Sequence, residues 1–546
     1  MRILAGALGD CVHVAGINHF LALAEQLGHE TFFTGPATDA ESWAEMAHEF
    51  QPDLIGVSYR LTPENAQLAL EEFWKVMQAA GLAGCRFAFG GTPPVATIAR
   101  QMGIFDAVFD GNEPPAAIIQ YLKGERVEGD QTSMPPQTTI ERIRWKAPYP
   151  LLRHHFGIPA QTIAPTVDGI ARIADAGVLD VVSLGADQDA QEHFFRPDLQ
   201  NPASKGAGGV PFRTEAELCQ LYDASRQGNY PLMRSYSGTA DLLRYAEMLT
   251  RTLHNAWCAT SLFWFNAMDA RGPLTLEESI RDHIALMAWH GARDLPIEGN
   301  EPYHWGMRDA PDVVSVAASY LYAYNARKAG VRDYITTYMF ESPPTLSNKM
   351  DLAKALAQIE LAESFADEQF RVWRQTRTGL LSYPVNSARA RAHLAESIYL
   401  QMALHPAIVH VVGYTEADHA ATADEVIESA TMAQQVIETA LAGQPDPTHD
   451  PLIQERVATL VAEARVLIEA IRRLGEGQVA DPLGDPATLA RAVQVGLLDA
   501  PQLKRNLFAR GHIRTRAING AIVAIDEANR PITEEERIAA LGLGLV

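Results

Sequence analysis

Short apolar segments alternate with helical segments along most of this chain, and this alternation constrains the fold more than any other feature. In roughly the first 120 residues, the strand-like segments are 2–6, 30–33, 53–58 and 86–90, each followed by one helical segment. Strands joined by single helices indicate a parallel sheet with helices on both faces. We therefore predict an α/β N-terminal domain of the Rossmann-like (flavodoxin-like) type. Ligands of such sheets bind at the carboxyl ends of the strands.

A second and longer alternation begins near residue 150. Its strand-like segments are 181–184, 231–234, 261–264, 295–298, 334–338 and 408–412. Because this series is long and polar residues follow its strands, it favours a (β/α)8 TIM-type barrel over a second open sheet. The stretch 422–474 is strongly helical, and 520–526 resembles a strand in the tail.

The polar segment 124–147 has a proline pair and no clear periodicity, which is typical of a linker. We predict four parts along the chain. They are a first domain over 1–122, a linker over 123–150, a barrel over 151–474, and a C-terminal extension over 475–546 that packs on the barrel.

Charge and cysteine usage narrow the classes of function. With 45 basic and 67 acidic residues the net charge is −22, which disfavours nucleic acid and anionic membranes as partners. The chain has four cysteines, with no CxxC pair and no disulfide framework. We see no targeting signal and no apolar run long enough for a membrane span, so we expect a cytoplasmic protein.

Small and polar residues follow the predicted strands of the first domain. The segment 9–16 (GDCVHVAG) carries Asp10, His13 and Gly16, and Ser58 and the pair Gly90-Gly91 follow later strands. Together they resemble the cobalamin-binding domain of adenosylcobalamin mutases and methionine synthases. That family shows Asp-x-His-x-x-Gly, then Ser-x-Leu, then Gly-Gly.

The resemblance implies that His13 ligates the cobalt of cobalamin from below, in place of the benzimidazole of the cofactor. Cobalt accepts imidazole nitrogen well. Small residues leave a slot in which the displaced nucleotide tail lies close to the backbone. The implied cofactor-binding residues are Asp10, His13, Gly16, Ser58, Leu61, Gly90 and Gly91.

Two positions depart from the family pattern. Cys11 stands where the family has its aspartate, so Asp10 needs a loop adjustment to reach His13. Arg60 stands in place of the leucine, with Leu61 beside it. The alternative interpretation is a flavodoxin-like sheet whose loop histidine merely lies at the surface.

Several segments of the second half resemble the large (epsilon) subunit of glutamate mutase, also called methylaspartate mutase. That subunit is a (β/α)8 barrel that caps the cobalamin domain, which there is a separate chain. The segments are 155–159 (HFGIP), 208–211 (GGVP), 229–234 (NYPLMR), 303–305 (YHW), 309–312 (DAPD), 493–499 and 510–535.

This second resemblance implies the substrate-site residues. In the family, arginines grip the carboxylates of a small substrate, which suits the planar guanidinium fork. Arg234 matches one of them, and we expect it to end its strand at the barrel mouth. His155 replaces another, and the third has no arginine, with Lys205 or Arg213 nearby in sequence. Glu341 falls where the family binds the adenosyl ribose.

Other polar clusters follow predicted strands of the barrel. Glu298, Asn300, Glu301 and His304 follow one strand, and His410, Glu416, Asp418 and His419 follow another. By spacing alone the second group could ligate a metal. Hydrogen bonding around a buried pocket is the alternative.

The combined interpretation is an adenosylcobalamin-dependent carbon-skeleton mutase acting on a small carboxylate. Because several substrate anchors of the family are missing, we expect a substrate other than glutamate. The alternatives are a corrinoid-dependent methyl or group transferase, and a non-catalytic cobalamin carrier or sensor. We expect a homodimer.

Overall fold

A computed structural model describes residues 1–111, 113, 115–124 and 134–545. The chain divides into two compact units. The first comprises residues 1–133, 145–149 and 438–444, and the second comprises 134–144, 150–437 and 445–546. Part of the predicted linker, 125–133, lies outside the described residues, and Thr139–Lys146 within it forms a helix. The predicted domain boundaries stay predictions.

The first unit contains a five-stranded parallel sheet. Its strands are β1 (Arg2–Ala7), β2 (Glu30–Phe33), β3 (Leu54–Tyr59), β4 (Arg86–Gly91) and β5 (Ala107–Phe109). Its helices are α1 (Ala15–Gln26), α2 (Ala40–Phe50), α3 (Pro63–Ala79), α4 (Pro93–Met102) and α5 (Pro115–Leu122). The strand order is β2-β1-β3-β4-β5. The predicted flavodoxin-like architecture is confirmed.

Burial explains why the strands of this sheet are apolar. Helices cover both faces of a parallel sheet, so its central strands are apolar throughout, and every residue of β3 is buried. The side chains of Asp39 and Thr62 cap the first backbone N–H groups of α2 and α3. The strand order reverses between β1 and β3, so the loops after these two strands flank the usual ligand crevice.

The second unit contains a closed barrel of eight parallel strands. In chain order these are β6 (Leu151–Phe156), β7 (Val181–Leu184), β8 (Leu232–Tyr236), β9 (Cys258–Thr260), β10 (Ile297–Gly299), β11 (Asp333–Phe340), β12 (Arg371–Thr378) and β13 (Ile408–Val411). β13 pairs with β6 and closes the barrel. The predicted (β/α)8 barrel is confirmed.

The helices of the second unit surround the barrel and continue beyond it. They are α6 (Thr139–Lys146), α7 (Ala164–Ala176), α8 (Gln188–Glu192), α9 (Glu215–Ala224), α10 (Leu242–Thr252), α11 (Leu276–Gly291), α12 (Glu301–Gly306), α13 (Asp312–Lys328), α14 (Asn348–Glu363), α15 (Ser387–Gln401), α16 (Ala423–Leu441), α17 (Pro451–Gly475), α18 (Pro486–Gln494) and α19 (Glu534–Ala540). Buried residues of α17 and α18 share one core cluster with those of α13 and α14. The tail also holds a hairpin of β14 (Thr515–Ile518) and β15 (Ala521–Ala524). Among the described residues, no helix has the length and apolar content that a bilayer crossing requires.

The barrel interior changes from apolar to charged along the strands. Near the amino ends, apolar side chains form one cluster, which includes Leu151, Val181, Leu232, Trp257, Ile335 and Ile408. Residues two positions further along a strand face the same side. On β6, β7 and β8 these are Arg153, Ser183 and Arg234, all buried. The barrel therefore has a closed apolar floor beneath a polar layer.

Three strand predictions in the barrel need correction. The predicted strand 261–264 is an apolar buried loop, and the strand itself is Cys258–Thr260. β12 was not predicted, because its sequence RVWRQTRT is polar where it faces the barrel interior. We expect Arg234 at the end of its strand, but β8 extends to Tyr236, so Arg234 lies in mid-strand.

Candidate functional site

The loop between β1 and α1 holds His13 at the surface. A left-handed Gly9 (φ +61°) turns the chain after β1, and His13 is exposed while Cys11 is buried. The Cys11 Sγ lies 3.9 Å from His13 Nδ1. Within the described parts of the chain, no hydrogen bond joins Asp10 to His13. The thiol that replaces the family's aspartate is therefore the group that contacts this imidazole.

Open space borders two of the predicted cofactor glycines. A Cβ added at Gly16 or Gly90 would meet no atom within 4 Å, whereas one at Gly91 would lie 2.8 Å from the Phe89 ring. Ser58 is buried at the end of β3 and pairs in register with Gly90. Gly90 therefore suits a slot for a ligand, and Gly91 must in addition be small because it packs against Phe89 and the Tyr59 carbonyl.

These features fit the cobalamin that the resemblance implies. Nε2 of His13 has no hydrogen-bond partner among the described residues, so this nitrogen is free for a metal. Leu61 packs, partly buried, against the core of the first unit, next to the end of β3. Elsewhere in the described ranges, no group of three or more His, Cys, Asp or Glu side chains is arranged to hold a metal ion.

A single buried carboxylate organises the polar layer of the barrel. Oε2 of Glu298 accepts hydrogen bonds from Arg153 Nη1 (2.8 Å), Arg234 Nη2 (2.7 Å) and Trp257 Nε1 (2.7 Å). Oε1 accepts from Gln375 Nε2 at 3.0 Å and from Thr337 Oγ1 at 3.2 Å. Because these donors come from strands on different sides of the barrel, Glu298 lies inside it.

The charges in this layer are not balanced. Burial raises the pKa of Glu298, but Arg153 and Arg234 outweigh it and lower that pKa to about 2, so the carboxylate is ionised. Nε and Nη1 of Arg234 are buried and have no partner among the described residues. Two guanidinium groups therefore share one carboxylate, and one of them keeps free donors.

Aromatic and imidazole side chains lie above this layer. The His155 ring stacks on Tyr236 at 5.4 Å and lies 4.9 Å from the His410 ring. The Tyr236 hydroxyl is 3.1 Å from His155 Nε2, and the Arg234 guanidinium lies 4.5 Å from the centre of the Tyr236 ring. His155 and Arg234 thus belong to one cluster, joined through Tyr236.

Burial and the neighbouring arginines keep the histidines of this cluster neutral. Burial first, and then Arg153, Arg234 and Arg377, hold the pKa of His155 well below its usual range. Burial, and then Arg153 and Arg377, hold the pKa of His410 well below its usual range. The electrostatic environment of the cluster is therefore strongly positive.

The two other predicted substrate-site residues lie in loops. Lys205 is half-buried after a short helical turn, and its carbonyl accepts from Gln161. No polar contact between Lys205 and Arg234 or His155 is present in the described residues. Glu341 follows β11 with φ +53° and accepts a hydrogen bond from Ser397 Oγ at 3.0 Å. Burial, and then Asp351, raise the pKa of Glu341 to about 7.

Sequence analysis missed Arg153, Gln375 and Arg377 as site residues. All three are buried charged or polar residues at interior positions of barrel strands. The available signal was a charged or amide residue within an apolar strand pattern, Arg153 in LLRHHF and Gln375 and Arg377 in RVWRQTRT, which is costly unless a polar partner is present. Glu298 was identified only as one member of a polar cluster.

Each unit matches a known family over part of its length. The B12 binding domain family matches residues 1–119 and supports cobalamin as the cofactor. The methylaspartate mutase E chain (MutE) family matches residues 286–540. The two matches follow the order that the resemblance implied, and residues 120–285, which include His155, Lys205 and Arg234, lie outside both. The two domains support a cobalamin-dependent enzyme.

Similarity to solved structures is weak. A cobalamin-binding protein from Desulfitobacterium hafniense DCB-2 is 24% identical, with a TM-score of 0.18, over 20% of this chain and 51% of that chain. The apo cobalamin-dependent S-adenosylmethionine radical enzyme OxsB is 10% identical, with a TM-score of 0.18, over 80% of this chain and 56% of that chain. The chain spans about half the length of these proteins, and such similarity carries no argument about function. No curated protein matches the chain.

Proposed function

We propose that this chain is an adenosylcobalamin-dependent carbon-skeleton mutase that rearranges a small carboxylate other than glutamate. The observation that carries the proposal is the excess of guanidinium groups over carboxylates inside a closed barrel. Burying unpaired cations is costly unless an anion accompanies them. The B12 binding domain and the methylaspartate mutase E chain domain of the same chain support the cofactor and the class of reaction.

In this proposal, His13 ligates cobalt through Nε2, and Ser58, Gly90 and Gly91 line the slot for the nucleotide tail. Asp10, Gly16 and Leu61 complete the cofactor site. When bound, adenosylcobalamin supplies a carbon radical that abstracts hydrogen from an unactivated C–H bond. The contact of Cys11 with Nδ1 orients the imidazole from its other side.

The barrel residues bind the substrate and exclude water. Arg234 donates its free Nε–H and Nη1–H groups to a substrate carboxylate, while Glu298 holds its third nitrogen in place. The stacked rings of His155 and Tyr236 cover this carboxylate and keep water and other hydrogen donors away. Lys205 assists from its loop, and Glu341 binds the ribose hydroxyl groups.

A substrate other than glutamate follows from the acids that are present. Glu298 makes five hydrogen bonds within the cluster, so it has no free capacity for a substrate amine. A histidine, His155, stands where the family uses an arginine. Glutamate would therefore lack a free acid for its amine and one of the arginines for its carboxylates.

The test loads the full chain with adenosylcobalamin or methylcobalamin and adds carboxylic acids of three to six carbons. We expect one acid to bleach the adenosylcobalamin spectrum and to exchange deuterium with the 5′ carbon of the cofactor. Methyl transfer from methylcobalamin would instead indicate a transferase. Tight cobalamin binding with no response to any acid would indicate a carrier or sensor. The homodimer and the cytoplasmic location stay predictions.

A further inference from the structure

The barrel interior holds a third arginine in addition to Arg153 and Arg234, which pair with Glu298. Arg377 on β12 is 5% exposed, and within the described parts of the chain it makes no ion pair. It lies 5.6 Å from the centre of the Tyr303 ring, and its only hydrogen bond found there goes to the backbone carbonyl of Thr378. Arg377 is two residues beyond Gln375, so it faces the same interior.

The acid that interacts electrostatically with Arg377 is Glu416, which is exposed and makes no ion pair with Arg377 among the described residues. Desolvation raises the pKa of Glu416, in the loop after β13, despite the opposing charge of Arg377. Among the interior-facing residues of the described barrel strands, above the apolar floor, Arg153, Arg234 and Arg377 therefore stand against one carboxylate, that of Glu298. With neutral histidines, the excess is two positive charges.

Unpartnered polar atoms accompany this excess. Asn300 directly follows β10 and is 1% exposed, and neither its amide nitrogen nor its amide oxygen has a partner among the described residues. Asn300 is two residues beyond Glu298, in the turn between β10 and α12. Arg234 Nε and Nη1 are likewise buried and unpartnered. Such buried groups are ordinarily satisfied by water or by a polar ligand, and a carboxylate suits the guanidinium donors.

We infer that the barrel binds a small dicarboxylate that carries no ammonium group. Two carboxylates balance the two excess charges, whereas an amino dicarboxylate leaves one charge unbalanced and brings an ammonium group among three arginines. The arginines add to burial in lowering the pKa of His155 and His410, which agrees with an interior that disfavours a further cation. The inference that the ligand is a carboxylate rests on the proposed function. The inference that this ligand has no ammonium group rests on the charges of the barrel and does not depend on which reaction the chain catalyses.

The test compares glutarate, L-glutamate and butyrate, which differ chiefly in charge. Their affinities are measured by titration calorimetry with the full chain, both without cofactor and loaded with aquacobalamin. We expect glutarate to bind on the order of tenfold more tightly than L-glutamate, because like charges oppose each other in a buried site. We also expect glutarate to bind more tightly than butyrate.

Variants at one position test the origin of this preference. Arg377→Gln is expected to reduce the ratio of glutarate to L-glutamate affinity towards one, and Arg377→Lys is expected to keep most of it. The control is Arg281→Gln, at an exposed residue of α11 paired with Glu277. The inference would be overturned if L-glutamate or butyrate bound as tightly as glutarate. It would also be overturned if glutarate did not bind. Glutarate binding without rearrangement would overturn only the proposed reaction.

Discussion

At the scale of single residues, the two departures from the cobalamin pattern have different consequences. The aspartate position holds Cys11, whose thiol contacts His13 Nδ1. A thiol is a weaker hydrogen-bond partner than a carboxylate. The leucine position holds the exposed Arg60, and Leu61 still packs against the core. The first departure therefore bears on the metal ligand, and the second leaves the packing of the domain intact.

We predict that Cys11→Asp strengthens cobalamin binding. A carboxylate on Nδ1 makes the imidazole a better ligand, and such partners are worth about 10–100-fold in metal affinity. The measurement is the affinity for aquacobalamin, followed by its visible spectrum. Cys85→Asp, at a half-buried cysteine of the same unit, is the control and is expected to bring no gain. A Cys11→Asp protein that binds no better would show that the thiol contact is unimportant.

The paired glycines at the end of β4 are predicted to respond differently to substitution. Gly90→Phe fills open space, so we expect loss of cobalamin affinity with an unchanged thermal midpoint. Gly91→Ala forces a Cβ against Phe89 and the Tyr59 carbonyl, so we expect a lower midpoint. The control is Gly84→Phe, which also enters open space but precedes β4. Full cobalamin affinity in Gly90→Phe would remove Gly90 from the slot.

At the scale of elements, sequence patterns predicted the strands whose residues are apolar because they are buried in a core. β2 was predicted with its observed bounds, and β1, β3 and β4 within one or two residues. β12 was missed because its interior positions carry Gln375 and Arg377, which serve the site rather than the core. The apolar run 261–264 was mistaken for a strand because a buried loop has the same composition. Sequence analysis thus failed where polar groups face inward or irregular backbone is buried.

The loop after β11 carries a predicted pH dependence. The pKa of Glu341 rises from 4.5 to about 7 on folding, so the folded state binds more protons than the unfolded state between these values. Stability from this group is therefore present below about pH 4.5 and is lost as the pH rises to 7. The loss is about 3 kcal/mol at most. The free energy of unfolding, measured by denaturant at each pH, should fall less steeply in Glu341→Gln, and an identical slope would contradict the assignment.

At the scale of the whole molecule, one chain supplies both a histidine at the switch point of a Rossmann-like sheet and a cationic barrel interior. The order of the two domains and the cofactor class were accessible from sequence, because the cobalamin motif lies within one continuous segment. The cluster around Glu298 was not accessible, because its members come from strands spread between residues 153 and 375. Only closure of the barrel brings them together.

The measurement that tests the central claim most directly is electron paramagnetic resonance of the Co(II) cobalamin form of the full chain, labelled with ¹⁵N-histidine. We predict that the cobalt signal splits into doublets from one ¹⁵N nucleus, and that His13→Ala abolishes this splitting. Triplets from ¹⁴N in the labelled protein would assign the lower ligand to benzimidazole. That result would contradict the account of how this chain binds cobalamin.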